Sequence, residues 1–201
     1  GVSTHSFGGM RQFVQTVMEN KIRDTLPQAL ARCGYRNVVF YPMLKNFVSN
    51  ARFYQSVGLK EIYDLKDQGA KVSNERDRFY YANALAEMER HVATSSRPLF
   101  TFIQTMSAHW PYDVAFAPDV EVPGGGPGTH PELHEYLRRV SMARMDYGYL
   151  VAEAAGGGFA AVGIDVSPYA LRQAGRAAPA AGGRVLRGIA DRLPFADATF
   201  D

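Results

Sequence analysis

Two short runs of β-branched and aromatic residues, Asn37-Val38-Val39-Phe40-Tyr41 and Leu99-Phe100-Thr101-Phe102-Ile103-Gln104-Thr105, flank a long segment of helical periodicity. This order constrains the fold more than any other feature of the chain. An antiparallel pair of strands closes through a tight turn, whereas a parallel pair needs a crossover of a dozen or more residues. Between the two runs, residues 73–91 read as helix, because Ser73 precedes an acidic first turn and Phe79, Ala82, Leu85 and Met88 or Ala86 recur at helical spacing. Strand, helical crossover and strand make a parallel pair, so the expected class is α/β with a partial parallel sheet. A helix over residues 24–33 leads into the first run, with Asp24 or Thr25 as cap, Pro27 in its first turn and Gly34 just past its end. After the second run, residues 113–131 read as loop around a Gly124-Gly125-Gly126-Pro127-Gly128 tract. Residues 132–150 return to helix, with Leu133, Leu137, Val140 and Tyr147 on one side.

Composition divides the chain of 201 residues in two. Residues 1–150 hold 12 alanines and residues 151–201 hold 14, while all five histidines, all seven methionines and all five lysines precede Leu150. A boundary is therefore expected between Gly148 and Val151, giving domains 1–150 and 151–201. In the second, residues 159–164 read as a strand ending at Asp165, Ser167 caps a helix with Pro168 at its first position, and residues 184–187 form another strand.

Charge and cysteine content exclude several classes. With 22 basic against 20 acidic residues, the formal charge of +2 creates no basic field for nucleic acid. The single cysteine, Cys33, excludes an internal disulfide framework and a cysteine-rich metal site. No apolar run approaches the roughly 18 residues of a membrane span, and the first residues lack the basic-then-apolar order of a signal peptide. The oligomeric state is not readable from these features.

His109 follows the second strand at its carboxyl end, where open parallel sheets place their binding crevices. There an imidazole either meets an anionic oxygen or moves a proton near neutral pH, or it packs beside Trp110 and Tyr112 in an aromatic turn. Ser3, Thr4, His5 and Ser6, beside Gly8 and Gly9, read as a turn. His130 with His134, and Glu132 with Glu135, have helical spacings that suit a metal, but no third ligand is evident and they read as solvated polar groups. No metal ligand is assigned.

The stretch Asn46-Phe47-Val48-Ser49-Asn50-Ala51-Arg52-Phe53-Tyr54-Gln55-Ser56-Val57-Gly58-Leu59, followed by Phe100 to Tyr112 with its Thr105-Met106-Ser107-Ala108-His109 run, resembles the sulfatase-type domain of lipoteichoic acid synthase and related phosphoglycerol or phosphoethanolamine transferases. Residues 25–41, Glu135-Tyr136-Leu137 and Asp146-Tyr147 fit the same pattern, and the resemblance covers residues 1–150. It implies membership of the alkaline phosphatase superfamily, whose members transfer a phospho-group through a Thr or Ser nucleophile on a divalent metal. His109 matches the substrate-side histidine facing the phosphate. Asn50 and Arg52 fall where the family binds the head group, although the usual Trp and Arg do not align cleanly. The nucleophile motif is expected upstream of Gly1 and the metal-binding Asp-His pair downstream of Leu150.

Ala161-Val162-Gly163-Ile164-Asp165-Val166-Ser167-Pro168-Tyr169-Ala170-Leu171, with Arg192-Leu193-Pro194-Phe195 and the residues up to Asp201, resembles the class I S-adenosylmethionine-dependent methyltransferases. The resemblance covers about residues 148–201 and implies a partial Rossmann-like β-α-β unit. Asp165 would accept hydrogen bonds from the cofactor's ribose hydroxyls, and the backbone of Ala190 would meet its adenine, since Ile189 stands where an acid is common. The family's glycine turn falls on Arg144, Asp146 and Gly148, with Met142 at the acidic position, so S-adenosylmethionine binding is doubtful. The expected whole is a composite of two incomplete domains, a phospho-group transferase fragment joined to a methyltransferase fragment and inactive as it stands. Its alternatives are a small-molecule methyltransferase with a replaced first half and a noncatalytic interaction domain. Its expected ligand is a phosphate-bearing small molecule or lipid head group. Its location is divided, the first part implying the outer face of a membrane and the second the cytoplasm.

Overall fold

The computed structural model describes residues 18–121, 130–159, 162–165 and 184–187. The chain divides into two compact units, residues 1–143 and 144–201.

The first unit is built on a three-stranded parallel sheet. Helix α1 (Leu26–Arg32) opens with a capping box: the Thr25 hydroxyl accepts from the Gln28 amide at 3.3 Å, and the Gln28 side chain accepts from the Thr25 amide at 3.2 Å. Gly34, at φ +88°, turns the chain into β1 (Arg36–Phe40). A 3-10 turn (Phe47–Ser49) leads into α2 (Asn50–Ser56), which is followed by the short strand β2 (Glu61–Tyr63). The crossover helix α3 (Asp77–Thr94) then delivers β3 (Leu99–Ile103). The strand order is β2-β1-β3, with Val39 opposite Ile62 on one side and Phe102 on the other.

Alternation along β1 explains why both faces of this sheet are covered. Val38 and Phe40 point to the face where Ala84 of α3 packs, joined by Tyr63, Leu99 and Ile103. Val39, Tyr41 and Leu59 form the opposite core with Tyr54 of α2, Met43, Ile62 and Phe100. The two helices thus sit on opposite faces, as right-handed crossovers that run in opposite directions along the sheet, β1 to β2 and then β2 across to β3, require. The carboxyl ends are bound together by Gln68, whose amide donates to the carbonyls of Tyr41 (3.1 Å) and Tyr63 (2.9 Å).

Several element boundaries differ from the sequence expectation. The crossover helix begins at Asp77, four residues after Ser73, whose carbonyl instead accepts from the Tyr80 hydroxyl at 3.0 Å. The strand expected over residues 99–105 ends at Ile103, although the Gln104 amide still donates to the Phe40 carbonyl at 3.0 Å. Helices and strands at 50–56 and 61–63 were not expected; three residues carry too little periodicity to identify β2.

The helix expected over 132–150 is α4 (Pro131–Gly156), and it runs unbroken through the expected boundary. It stops at a glycine-based cap: Gly158 has φ +85°, its amide donates to Ala155, and the Phe159 amide donates to Ala154. In the second unit, β4 (Val162–Asp165) pairs in parallel with β5 (Arg184–Arg187). The strand expected at 159–164 is therefore shifted, and Asp165 is its last residue. The Ser3 to Ser6 cluster, the Gly124 to Gly128 tract, the Ser167 cap, Ile189 and Ala190 lie outside the described residues.

Candidate functional site

At the carboxyl end of β3 the chain passes through Gln104 into a turn closed by the His109 amide on the Met106 carbonyl, 2.9 Å. Ser107 is buried at the base of this turn, and its amide donates to Oδ1 of Asp77, in the first turn of α3, at 3.3 Å. One anchor of the loop therefore comes from the crossover helix. His109 itself is exposed. Its Nδ1 lies within hydrogen-bond distance of the Trp110 carbonyl. A carbonyl oxygen only accepts, so Nδ1 carries the proton and Nε2 is the ring nitrogen left for a ligand. The Trp110–Pro111 peptide is cis, and the Trp110 side chain is 69% exposed.

A second anchor comes from α4. Buried Arg139 donates from Nη1 to the His109 carbonyl at 3.0 Å and from Nη2 to the Val114 carbonyl at 2.6 Å. Its guanidinium also lies over the rings of Tyr112 (5.3 Å) and Phe116 (5.5 Å). Glu135, one turn earlier on the same helix, fixes the guanidinium by accepting from Nε at 2.7 Å, and it also accepts the Phe116 amide at 2.8 Å. Arg138 pairs with Glu135 at 2.9 Å and donates to the carbonyls of Phe116, Ala117 and Val120. Burial alone would raise the Glu135 pKa; the hydrogen bonds from Arg138, the Phe116 amide and Arg139 outweigh it and hold the carboxyl down at about 2. Side chains of α4 therefore determine the course of the loop from His109 to Val120.

A third group of side chains surrounds Asn50. The expectation placed Asn50 and Arg52 together at a head group, and the structure separates them. Asn50 is buried, donating to the Tyr41 hydroxyl, and its Oδ1 has no hydrogen-bond partner among the described residues. Arg52 is 73% exposed and pairs with Glu19 at 2.9 Å. Positions two apart on a helix face different directions, which accounts for the divergence. The Tyr41 ring meets Tyr54 edge-on at 5.5 Å, and the Tyr54 hydroxyl donates to Oε1 of Gln104 at 2.5 Å. Asn50 is in this way linked through two tyrosines to the first residue of the His109 loop. Burial raises the pKa of both phenols, so they act as neutral hydrogen-bonding groups.

His130, Glu132 and His134 are exposed, and Glu135 is turned inward to its arginines, so the four do not share a site. Asp165 ends β4 opposite Arg187. The three glycine-turn positions, Arg144, Asp146 and Gly148, lie inside α4, and Asp146 is fully buried. Sequence reasoning missed Asp77, Gln104, Arg138 and Arg139. The spacing of Glu135 with Arg138 and Arg139 signals ion pairs along a helix, but nothing local shows that they reach a distant loop.

No curated protein matches the chain. Among solved structures, it is similar to the lipoteichoic acid synthase LtaP from Listeria monocytogenes, at 23% identity and TM-score 0.56, over 66% of this chain and 33% of that one. A protein in the alkaline phosphatase superfamily from Vibrio parahaemolyticus matches at 17% identity and TM-score 0.40, over 60% of this chain and 30% of that one. The chain thus spans about a third of the length of these structures. The first likeness establishes the fold of a small parallel α/β sheet with its helices. The family model for sulfatases matches residues 2–148, which include the sheet, the His109 loop and the arginines that hold it, and the chain belongs to the sulfatase family.

Proposed function

We propose that the chain carries the substrate-facing part of a phospho-group transferase of the lipoteichoic-acid-synthase type, one that moves a phosphoglycerol- or phosphoethanolamine-like group, with His109 meeting the phosphate. One observation carries this reading: an exposed imidazole at the carboxyl end of a parallel sheet, on a loop held from two helices at Ser107 and His109, with its Nδ1 committed to a carbonyl. Neutral, Nε2 accepts a proton; protonated, it donates to a phosphate oxygen and carries a positive charge there. Asn50 and Arg52 then serve different roles, Asn50 supporting Tyr41 from below and Arg52 contributing at the surface.

Sulfatases generally use a divalent metal. Among the described residues no three His, Cys, Asp or Glu side chains lie together to hold one. Of the carboxylates anchoring the His109 loop, Glu135 is taken by its arginines and by Phe116, and Asp77 accepts the Ser107 amide. The described residues therefore do not fit the metal. On this reading the chain binds phosphate and does not turn over phospho-esters by itself. The test has two arms. Inorganic phosphate titrated into the full chain should shift the His109 ring protons in the NMR spectrum, and His109→Ala should remove the response; an unmoved His109 signal would defeat the assignment. A chromogenic phosphodiester with Mn²⁺ or Mg²⁺ should remain intact; metal-dependent turnover lost in Ser3→Ala or Thr4→Ala would place a working nucleophile in this chain.

For residues 148–201 we retain the methyltransferase reading as a proposal, with Asp165 directed at a ribose and Ala190 at an adenine. The parallel β4–β5 pair, with Asp165 at the end of β4, supports it. The competing methyltransferase and interaction-domain readings are separated from the first by S-adenosylhomocysteine and phosphate titrations: cofactor binding alone favours the former, and binding of neither favours the latter. A composite chain also accounts for the two compartments its parts imply.

A further inference from the structure

Arg139 makes no use of its charge at the surface: it is buried on α4, its Nε is taken by Glu135 at 2.7 Å, and its two terminal nitrogens close on the carbonyls of His109 and Val114 at 3.0 and 2.6 Å. A guanidinium is the one side chain that presents donors in a rigid planar fork, so it can tie two loop carbonyls and a carboxylate at fixed angles at once. The rings of Tyr112 and Phe116 lie against the same guanidinium, which leaves it little freedom to turn. The Tyr112 hydroxyl donates back to the Ala108 carbonyl at 2.9 Å, so the residue before His109 is tied into the same cluster. Three constraints meet at His109, two on its backbone and one on its ring: its amide donates to Met106, its carbonyl accepts from Arg139, and its ring lies on the Trp110 carbonyl.

We infer that Arg139, oriented by Glu135, is a positioning residue for His109: by fixing the His109 carbonyl it sets the direction of the imidazole and so the placement of Nε2 toward an anionic ligand. The inference rests on the reading of His109 as phosphate-facing. It assigns Arg139 no contact with the ligand. Its loss would release the loop without removing the ring, and affinity would fall because a correctly aimed histidine becomes one orientation among many. Arg138 holds the later carbonyls of Phe116, Ala117 and Val120, so its removal should disturb the loop beyond His109 more than the ring itself.

Trp110, adjacent to His109, is the chain's single tryptophan, so its emission reports on this loop alone. The experiment compares full-length wild type, Arg139→Met, Arg139→Lys and Glu135→Gln by three readouts: Trp110 fluorescence anisotropy and acrylamide quenching, the phosphate-induced shift of the His109 ring protons, and far-ultraviolet circular dichroism as the check on folding. Arg139→Met is expected to lower the Trp110 anisotropy and to weaken phosphate binding on the order of tenfold, as misplacement of a binding group does. Arg139→Lys keeps the charge without the fork and should behave like Arg139→Met, with Glu135→Gln between it and wild type. If Arg139→Met fails to fold, the Lys and Gln variants decide alone. Wild-type anisotropy and wild-type phosphate affinity in folded Arg139→Lys and Glu135→Gln would overturn the inference. Should wild-type His109 ignore phosphate while Trp110 still loosens in the Arg139 variants, the loop anchor stands and the phosphate reading fails.

Discussion

Gly58 turns the chain from α2 toward β2 at φ +100°, and a Cβ built there would lie 2.7 Å from the Gln28 amide nitrogen and 3.0 Å from the Pro27 carbonyl carbon. Both neighbours are backbone of α1, held in place because the Asn37 amide donates to the carbonyls of Pro27 (2.6 Å) and Gly58 (3.1 Å). Gly58→Ala therefore combines a left-handed conformation with an overpacked contact that has nowhere to move, and should cost about 3 kcal/mol. Gly34 has φ +88° and open space around its missing side chain, so Gly34→Ala should cost about 1 kcal/mol through conformation alone. Urea unfolding of the two variants measures the difference, and equal losses would mean that the Pro27–Gln28 contact is not rigid. The two glycines also differ in legibility. Gly34 follows a capped, periodic helix, and its role is visible in the surrounding ten residues. What makes Gly58 necessary is a segment thirty residues away, which local pattern cannot show.

Among the elements, β1 connects to its neighbours through its first residue. Arg36 donates to Glu61 of β2 at 2.8 Å and to Glu87 of α3 at 2.5 Å, and its Nη1 lies 3.2 Å from Nδ1 of buried His91. Replacing it by Met leaves Glu87, which is buried, with Arg90 as its remaining cation. Arg36→Met should cost about 2 to 3 kcal/mol, less than a fully orphaned buried charge, and adding Glu87→Leu should recover part of that loss. Denaturant melts of the single and double variants check this; a double variant weaker than the single would show that packing, not charge, dominates there.

Helix α4 crosses the position where the composition changes. Alanine is the best helix former, so residues 151–155 prolong the helix to its glycine cap, while the division into two compact units falls after Ala143. Where a methyltransferase would have a strand and a glycine turn, Arg144, Asp146 and Gly148 lie inside a helix whose amides are spent on intrahelical hydrogen bonds. Open backbone amides are what such a turn offers a cofactor. S-adenosylhomocysteine should accordingly give no saturable heat at micromolar concentration in titration calorimetry. Micromolar binding abolished by Asp165→Ala would reverse this and make the methyltransferase reading primary. The strands β1 and β3 were legible because β-branched and aromatic runs mark buried strands, and His109 because it follows one of them. Arg139 was not, since its partners are carbonyls, which carry no sequence signature.

Across the whole molecule, the anchors described above share one chemistry, and that determines how the first unit responds to acid. Glu135, Glu87, Glu61 and Asp67 all have lowered pKa values. For Glu135, Glu87 and Asp67, burial raises the pKa and cations with their hydrogen bonds more than compensate, while for Glu61 the leading cause is the hydrogen bond from Arg36. A carboxyl depressed on folding binds its proton more readily when unfolded, so the unfolded state takes up protons first as pH falls. The stabilisation from these groups is complete above the ordinary carboxyl value of 4.5 for glutamate and is lost as the pH falls through the folded value, about 2 for Glu135. The urea midpoint should thus hold level from pH 7 to about 5 and decline steadily below pH 4.5. Trp110 anisotropy should decline with it, because Glu135 orients the arginine that holds the His109 loop. Glu135→Gln should lower the plateau and make the acid decline shallower, since the amide has no proton to take up over that range. An unchanged slope in Glu135→Gln would remove Glu135 from the acid response and assign it to the Arg36 cluster, where Glu61 and Glu87 lie on either side of one guanidinium.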